Sequence, residues 1–382
     1  MNNETRKETQ VLPKDVRYVG ADDLTLPLFE NQYPVQPMGV SYNSYLILDE
    51  KVAVMDSVDA RAADEWLAKL AHELDGRSPD YLVISHMEPD HSGSILRLAE
   101  KYQEMKLVGN TKTFTMLRQF FGAKAPTDDR LLEVGEGETL PLGAHTLHFM
   151  LAPMVHWPEV MVAYEETEKL LFSADAFGRF GSLGRTANAP WAPQARRYYY
   201  NIVGKYGAQV QALLKKASAL EIKTVCPLHG PVLTGEALGE ALRLYDLWSR
   251  WQSESPDDIL LAHASIHGNT ARAAELLKQK LEAKGARVTL CDLTTTEVSY
   301  AVANAFYCGK LVLACSTYDG GLFPPMEEFL SHLQAKGFRS RSVGLIENGS
   351  WAPAAARLMR ARLEEMKDLR VCGTVVSLRS AL

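Results

Sequence analysis

The sequence predicts an α/β protein of two domains, the second built on a doubly wound parallel sheet. Three observations predict it. Apolar strand-like runs alternate with helical ones over residues 1 to about 250. A polar stretch with a proline, "WSRWQSESPDD" (248–258), then interrupts the pattern and reads as a linker. Beyond it a regular strand–helix alternation runs on to residue 382. Strands alternating with helices imply a parallel sheet covered on both faces. A chain of 382 residues, 46% hydrophobic and 23% charged, is long enough to bury more than one core.

In order along the chain, "SYLILD" (44–49) and "VAVMDS" (52–57) form an expected hairpin around the charged "EK". "DEWLAKLAHEL" (64–74) places Trp66, Leu67, Leu70 and Leu74 at helical spacing. "YLVIS" (81–85) and "KLVGN" (106–110) flank an expected helix over "SILRLAEKY". Further strands are expected over 145–153, 160–166, 169–177 and 222–230. The second domain begins with "ILLA" (259–262) and a helix from about 270 to 284, stopped by Gly285. The strands "RVTL", "KLVLAC", "SVGLI" and "VCGTVVSL" follow. The expected domains are residues 1–250 and 256–382.

Composition narrows the partners. The net charge is −6 and no long basic run is present, which argues against nucleic acid or an anionic membrane. The opening "MNNETRKETQ" lacks the apolar stretch of a secretory signal, and no window approaches 18 uninterrupted apolar residues. Cys226, Cys291, Cys308, Cys315 and Cys372 are scattered, with no C-x-x-C pair, so a four-cysteine metal module is excluded. An odd, sparse set of cysteines fits a reducing cytoplasm.

The chemistry of the first domain gathers after apolar runs. "SHMEPDHSGS" (85–94) packs His86, Glu88, Asp90 and His91 into six positions, directly after "YLVI". Taken singly, each histidine reads as an ordinary loop residue. Polar groups at the end of a buried strand, however, lie where loops assemble sites on a rigid scaffold. Three more strand ends carry matching residues: His156 in "APMVHWPE", Asp175 in "LFSADAFG" and His229 in "VCPLHGP". Seven candidates of this kind are about what two metal ions need. His145 and His148 fall on opposite faces of one strand, and His72 and His332 sit in helical stretches, so these four read as structural or surface residues.

The pattern resembles the metallo-β-lactamase fold, an αββα sandwich whose usual signature is H-x-H-x-D-H. Here Glu88 stands where the second histidine belongs. Mixed histidine and carboxylate sites with open positions suit iron, so the exchange favours a redox metal pair over a zinc hydrolase. H-x-E-x-D-H, the histidine in "HWP", eighteen residues to an aspartate, then "CP-x-HGP" resemble the flavodiiron proteins. "VSYNSYLI" and "ARRYYYNI" are also similar to that family, so the resemblance covers nearly the whole chain. Asp175 and His229 are separated by 53 residues, a shorter interval than the family's usual one; the shortening falls in the loop after "ADAFG". The resemblance implies that His86, Glu88 and His156 hold one iron, and that Asp90, His91 and His229 hold the other, with Asp175 bridging.

In the second domain, "HASIHGNTARAAELL" (263–277) follows a strand and opens a helix. Small and hydroxyl residues there let backbone N–H groups wrap a phosphate, helped by the helix dipole. The loop is neither G-x-x-x-x-G-K-[ST] nor G-x-G-x-x-G, which speaks against nucleoside triphosphates and dinucleotides. A plain helix capped by Asn269 or Thr270 is the competing account. "CSTYDGGLFPPM" (315–326) and "ENGSWAP" (347–353) add Gly and aromatic residues after two further strands. Three such loops resemble flavodoxin with FMN. By that resemblance Ser265, Ile266, His267, Gly268, Asn269 and Thr270 would cradle the phosphate. Ser316, Thr317, Tyr318, Asp319, Gly320, Gly349, Ser350 and Trp351 would border the flavin.

The resemblance implies a cytoplasmic oxidoreductase: FMN takes electrons from a separate rubredoxin or similar donor, and two iron ions reduce O2 to water, NO to N2O, or both. It also implies a head-to-tail homodimer, or a dimer of dimers. Two alternatives stay open from the sequence. One is a zinc hydrolase of the glyoxalase II or lactonase type with an appended flavodoxin domain. The other is a redox sensor or electron carrier with an idle metal site.

Overall fold

The structure, a computed structural model, describes residues 11–382. It divides into two compact units: the chain up to Tyr199 together with Ala208–Asp246, and Tyr200–Gly207 together with Leu247–Leu382. The expected division at residue 250 did not include the contribution of Tyr200–Gly207 to the second unit.

The first unit holds two six-stranded sheets. One runs in the order Val16–Tyr18, Tyr45–Ile47, Ala53–Met55, Tyr81–Val83, Lys106–Gly109, Leu131–Glu133. The expected hairpin pairs Tyr45 with Met55 and Ile47 with Ala53, antiparallel. The remaining neighbours from Ala53–Met55 onward are parallel. The other sheet runs Thr139–Pro141, Thr146–Leu151, Met161–Glu165, Leu170–Phe172, Thr224–Cys226, Leu233–Thr234.

Alternation decides which side chains meet between the sheets, because successive strand residues point to opposite faces. Tyr45, Ile47, Ala53, Met55, Val83 and Val108 come from the first sheet; Leu147, Phe149, Met161, Ala163, Leu170 and Phe172 come from the second. They form one buried core. The helix Ala63–Leu74 buries Trp66, Leu70 and Leu74 of the stripe read from the sequence, leaves Leu67 half-buried and buries Ala63 as well. Asn110 caps the helix Thr111–Phe121 by accepting from the Lys112 and Thr113 amides.

The helix expected over "SILRLAEKY" is Ile95–Lys101, and a short helix not expected, Pro89–Ser92, precedes it, with Pro89 supplying the first-turn φ. Two expectations need correction. The strand expected over 169–177 ends at Phe172, and Asp175 sits on the turn beyond it. The linker expected over 248–258 shrinks to 250–254. The helix Gly235–Ser249 runs into it, and the strand Ser255–Ala264 starts inside it. Trp248 is fully buried there and its Nε1 donates to Glu254 at 2.7 Å, which makes the polar-looking stretch part of a folded unit.

The second unit carries a five-stranded parallel sheet in the order Val288–Asp292, Ser255–Ala264, Cys308–Tyr318, Ser342–Asn348, Arg370–Leu378. Numbered within the unit, that is 2-1-3-4-5, the doubly wound order in which ligands sit at the switch point beside the first and third strands. Leu261, Ala314 and Ile346 pack with Ala274 of the helix Asn269–Glu282. At the start of this sheet Gly309 has no room for a side chain, since a Cβ there would lie 2.1 Å from the Pro256 carbonyl oxygen. Among the described residues no helix is long and apolar enough to cross a membrane.

Candidate metal centre

Four loops deliver the seven site residues of the first unit, each directly after a strand. The loop after Tyr81–Val83 brings His86 and Glu88 and runs into the short helix carrying Asp90 and His91. The loops after Thr146–Leu151, Leu170–Phe172 and Thr224–Cys226 bring His156, Asp175 and His229. Those last three strands point the same way, so their loops leave one edge of the sheet. Backbone strain brackets two of the residues: Met154 and Ala174 hold positive φ of 65° and 51°.

The seven side chains fall into two groups. In the first, His156 Nε2 lies 3.1 Å from both Glu88 Oε2 and Asp175 Oδ2. His86 Nε2 lies 3.2 Å from Glu88 Oε2 and 3.5 Å from Asp175 Oδ2. In the second, His91 and His229 bring their Nε2 atoms to 3.1 Å, each 3.2 Å from Asp90 Oδ2. Within each group the converging atoms lie within 4.8 Å of one another. Asp175 turns Oδ2 to the first group, while its Oδ1 is 3.2 Å from His91 and 3.5 Å from His229.

Hydrogen bonding on the far side of two rings fixes what they offer. His229 Nδ1 is 2.7 Å from the Ser41 carbonyl oxygen, which only accepts, so Nδ1 carries the proton and Nε2 faces inward. His86 Nδ1 is 2.7 Å from Glu159 Oε1, which also accepts from the Met87 amide at 2.9 Å. Carboxylate and carbonyl partners of this kind orient imidazoles toward metals.

The carboxylates point the same way. Both oxygens of Asp90 and Oδ1 of Asp175 are buried and receive no hydrogen bond. Buried carboxylate oxygens are costly unless a cation or donor meets them. A cation in the second group would meet Asp90 Oδ2 and Asp175 Oδ1, and the four converging atoms of the first group offer a second cation the same kind of seat, so the donor set fits two metal ions. Burial would push His86 down, yet Glu159, Glu88 and Asp175 carry it up to about 9. The same opposition at His156, with Asp175 and Glu88 outweighing burial, carries it up to about 10. Against burial, the neighbouring imidazoles hold Glu88, Asp90 and Asp175 below the usual carboxylate range.

Sequence reasoning did not single out Glu159 or Ser41, though both lie in stretches it quoted. A glutamate two residues before the fully buried strand Met161–Glu165 was the available signal for Glu159. His145 and His148 lie away from the groups, beside Glu165 and Glu166. His72 is exposed and His332 half-buried.

In the second unit a cavity of about 520 Å³ opens at the carboxyl ends of the strands. Ser265, Ile266, His267, Asn269, Thr270, Ser316, Thr317, Tyr318, Asp319, Gly320, Gly349, Ser350 and Trp351 line it. Gly268 does not; it holds φ 86° as the residue before the helix, and its amide donates to Ser265 Oγ. The cap expected at Asn269 or Thr270 is therefore one position earlier, because only glycine adopts that backbone readily. Asn348, Ala352 and Ser380 line the cavity as well and were not foreseen. Asn348 accepts from the Ser380 amide at 3.0 Å and donates to its carbonyl at 2.9 Å, tying two lining segments together. Trp351 is 88% exposed on the rim, and Tyr318 is 45% exposed.

Comparison with known proteins agrees with this geometry. The family described as "ODP family beta lactamase" matches residues 40–230, half of the chain. Rubredoxin-oxygen oxidoreductase of Megalodesulfovibrio gigas is 27% identical over 91% of this chain and 87% of its own. Nitric oxide reductase of Moorella thermoacetica is 27% identical over 92% of this chain and 88% of its own. The crystal structure of the flavodiiron protein from Giardia intestinalis superposes with a TM-score of 0.86 at 26% identity, over 95% of this chain and 91% of that one. The chain belongs to the ODP family of beta-lactamase-fold proteins and, within it, to the flavodiiron proteins.

Proposed function

We propose that this chain is a flavodiiron oxidoreductase that receives electrons from a separate donor of the rubredoxin class and reduces O2 to water, NO to N2O, or both. The observation that carries the reading is the pair of ligand groups sharing Asp175, with Glu88 in one of them. His86, Glu88 and His156 would hold one iron, and Asp90, His91 and His229 the other, with Asp175 offering one oxygen to each. When bound, the iron pair would supply gas reduction and FMN would supply electron relay. The chain's own part is placement. Glu159 and the Ser41 carbonyl orient His86 and His229. The second unit's cavity would hold FMN, with its phosphate against the loop that opens the helix Asn269–Glu282.

The hydrolase alternative loses to Glu88. A carboxylate there makes the first group harder than an all-nitrogen zinc site. Elemental and flavin analysis tests the reading. Two irons and one FMN per chain, with consumption of O2 or NO under a reductant, are expected. Two zincs with esterase or lactonase activity would overturn it.

The same reading implies an active head-to-tail homodimer in a reducing cytoplasm. Pairing about a two-fold is the commonest oligomer symmetry. A complementation experiment tests it: a flavin-free variant at Asn269 and Thr270 mixed with His86→Ala should regain part of the activity. No recovery despite proven subunit exchange would exclude transfer across an interface.

A further inference from the structure

The reduction proposed above consumes one proton for every electron. O2 takes four of each to give two waters; two NO take two of each to give N2O and one water. The electrons come from the donor class already named. The protons have to come through the protein, and this inference rests on that reading of the site.

A cavity of about 580 Å³ opens beside the metal centre and is bordered by Tyr42, Glu88, Asp90 and Trp157. Four carboxylates line it: Glu30, Asp59, Glu88 and Asp90. Glu88 and Asp90 belong to the metal groups, and Glu30 is an exposed rim residue. Asp59 alone is half-buried and outside those groups. Its backbone is fixed against the ligand-bearing segment. Ser57 Oγ donates to the His91 carbonyl, Ser94 Oγ donates to the Asp59 carbonyl, and a Cβ at Gly93 would lie 2.8 Å from the Ala60 nitrogen. On its outer side Asp59 caps the turn Ala60–Ala62, accepting from the Arg61 amide at 2.8 Å. Arg61, 45% exposed, pairs with Asp23 at 3.1 Å. Asp59 thus lies between solvent and the cavity.

We infer that Asp59 is the residue that delivers protons to the gas-reducing site, releasing a proton from its carboxyl into the cavity and regaining one from water on the Arg61 side. The charges facing it are consistent with that work. Burial and the negative charges of Asp90 and Asp23 raise it above the ordinary aspartate range, against the Arg61 amide and guanidinium, which lower it. Tyr42, which also lines the cavity, packs its ring against His229 of the metal groups, with centroids 6.1 Å apart.

The two functions of Asp59 separate cleanly by substitution. Asn caps a turn as well as Asp but carries no acidic proton. Holoenzyme loaded with iron and FMN is reduced and mixed with O2-saturated buffer, and flavin reoxidation is followed in a single turnover across pH and in D2O. Asp59→Asn should keep iron, FMN and Tm, slow reoxidation by at least about tenfold and lose the wild type's decline toward high pH. Asp59→Glu should restore most of the rate. If Asp59→Asn reoxidises at the wild-type rate with the wild-type pH profile, or Asp59→Glu is as slow as Asp59→Asn, the inference falls and the functional reading stands. A wild type that carries both cofactors yet consumes neither gas overturns that reading, and this inference with it.

Discussion

Glu88 sits 3.2 Å from His86 and 3.1 Å from His156, where its carboxylate closes the first ligand group. Its consequence is chemical selectivity. Glu88→His should exchange a hard oxygen donor for nitrogen, so the variant is expected to take up zinc at the expense of iron and lose gas reduction while retaining FMN. Metal analysis after growth with both metals checks this; full iron occupancy with unchanged turnover would show that Glu88 is not a ligand. At this scale the sequence was most informative where residues cluster behind an apolar run. His86, Glu88, Asp90 and His91 lie within six positions, and the motif alone raised them above chance. Glu159 and Ser41 escaped because their contribution is a contact across 73 and 188 positions, made in one case by a main-chain carbonyl that any residue carries.

Strands and turns were legible in proportion to their burial. Leu147 and Phe149 alternate toward the core, and Trp66, Leu70 and Leu74 recur at helical spacing, so the elements that carry them were readable. Strand ends were not. Apolar residues continue after Leu170 through Phe172, Ala174 and Ala176, yet the strand ends at Phe172 and the turn beyond it carries Asp175 to the ligand groups. Likewise, "WSRWQSESPDD" reads as a linker by composition, while Trp248 and Ser255 are buried. One element-level prediction concerns Gly309, which follows the pairing of Ser255 with Cys308. Gly309→Ala drives a methyl into the Pro256 carbonyl and should cost about 1–3 kcal/mol, with reduced FMN retention and normal metal content. Thermal melts and cofactor analysis read both; a variant as stable as the wild type would show that the strands separate there without strain.

Over the whole molecule, the α/β class and the parallel second sheet followed from alternation of strands and helices, and the 2-1-3-4-5 order placed the flavin-type cavity where such sheets bind ligands. Each unit has its own buried core. Trp351→Ala should therefore weaken FMN binding or shift the flavin potential and leave metal content unchanged, because Trp351 borders only the second unit's cavity. Parallel loss of both cofactors would contradict this independence. The excursion Tyr200–Gly207 has a different consequence, for modularity. Tyr200 stacks on Phe306 at 3.9 Å, Asn201 donates to the Ser299 carbonyl, and Lys336 donates to the Asn201 carbonyl. The second unit is thus spliced from two distant stretches of chain. A ribosome finishes the first stretch well before the second exists, and a gene fragment cut at 247 leaves Phe306 without its lid. Such a fragment should aggregate or refold poorly, and adding a peptide that spans 198–208 should rescue it. A fragment that is soluble and fully FMN-loaded without the peptide would show that the borrowed turn is dispensable.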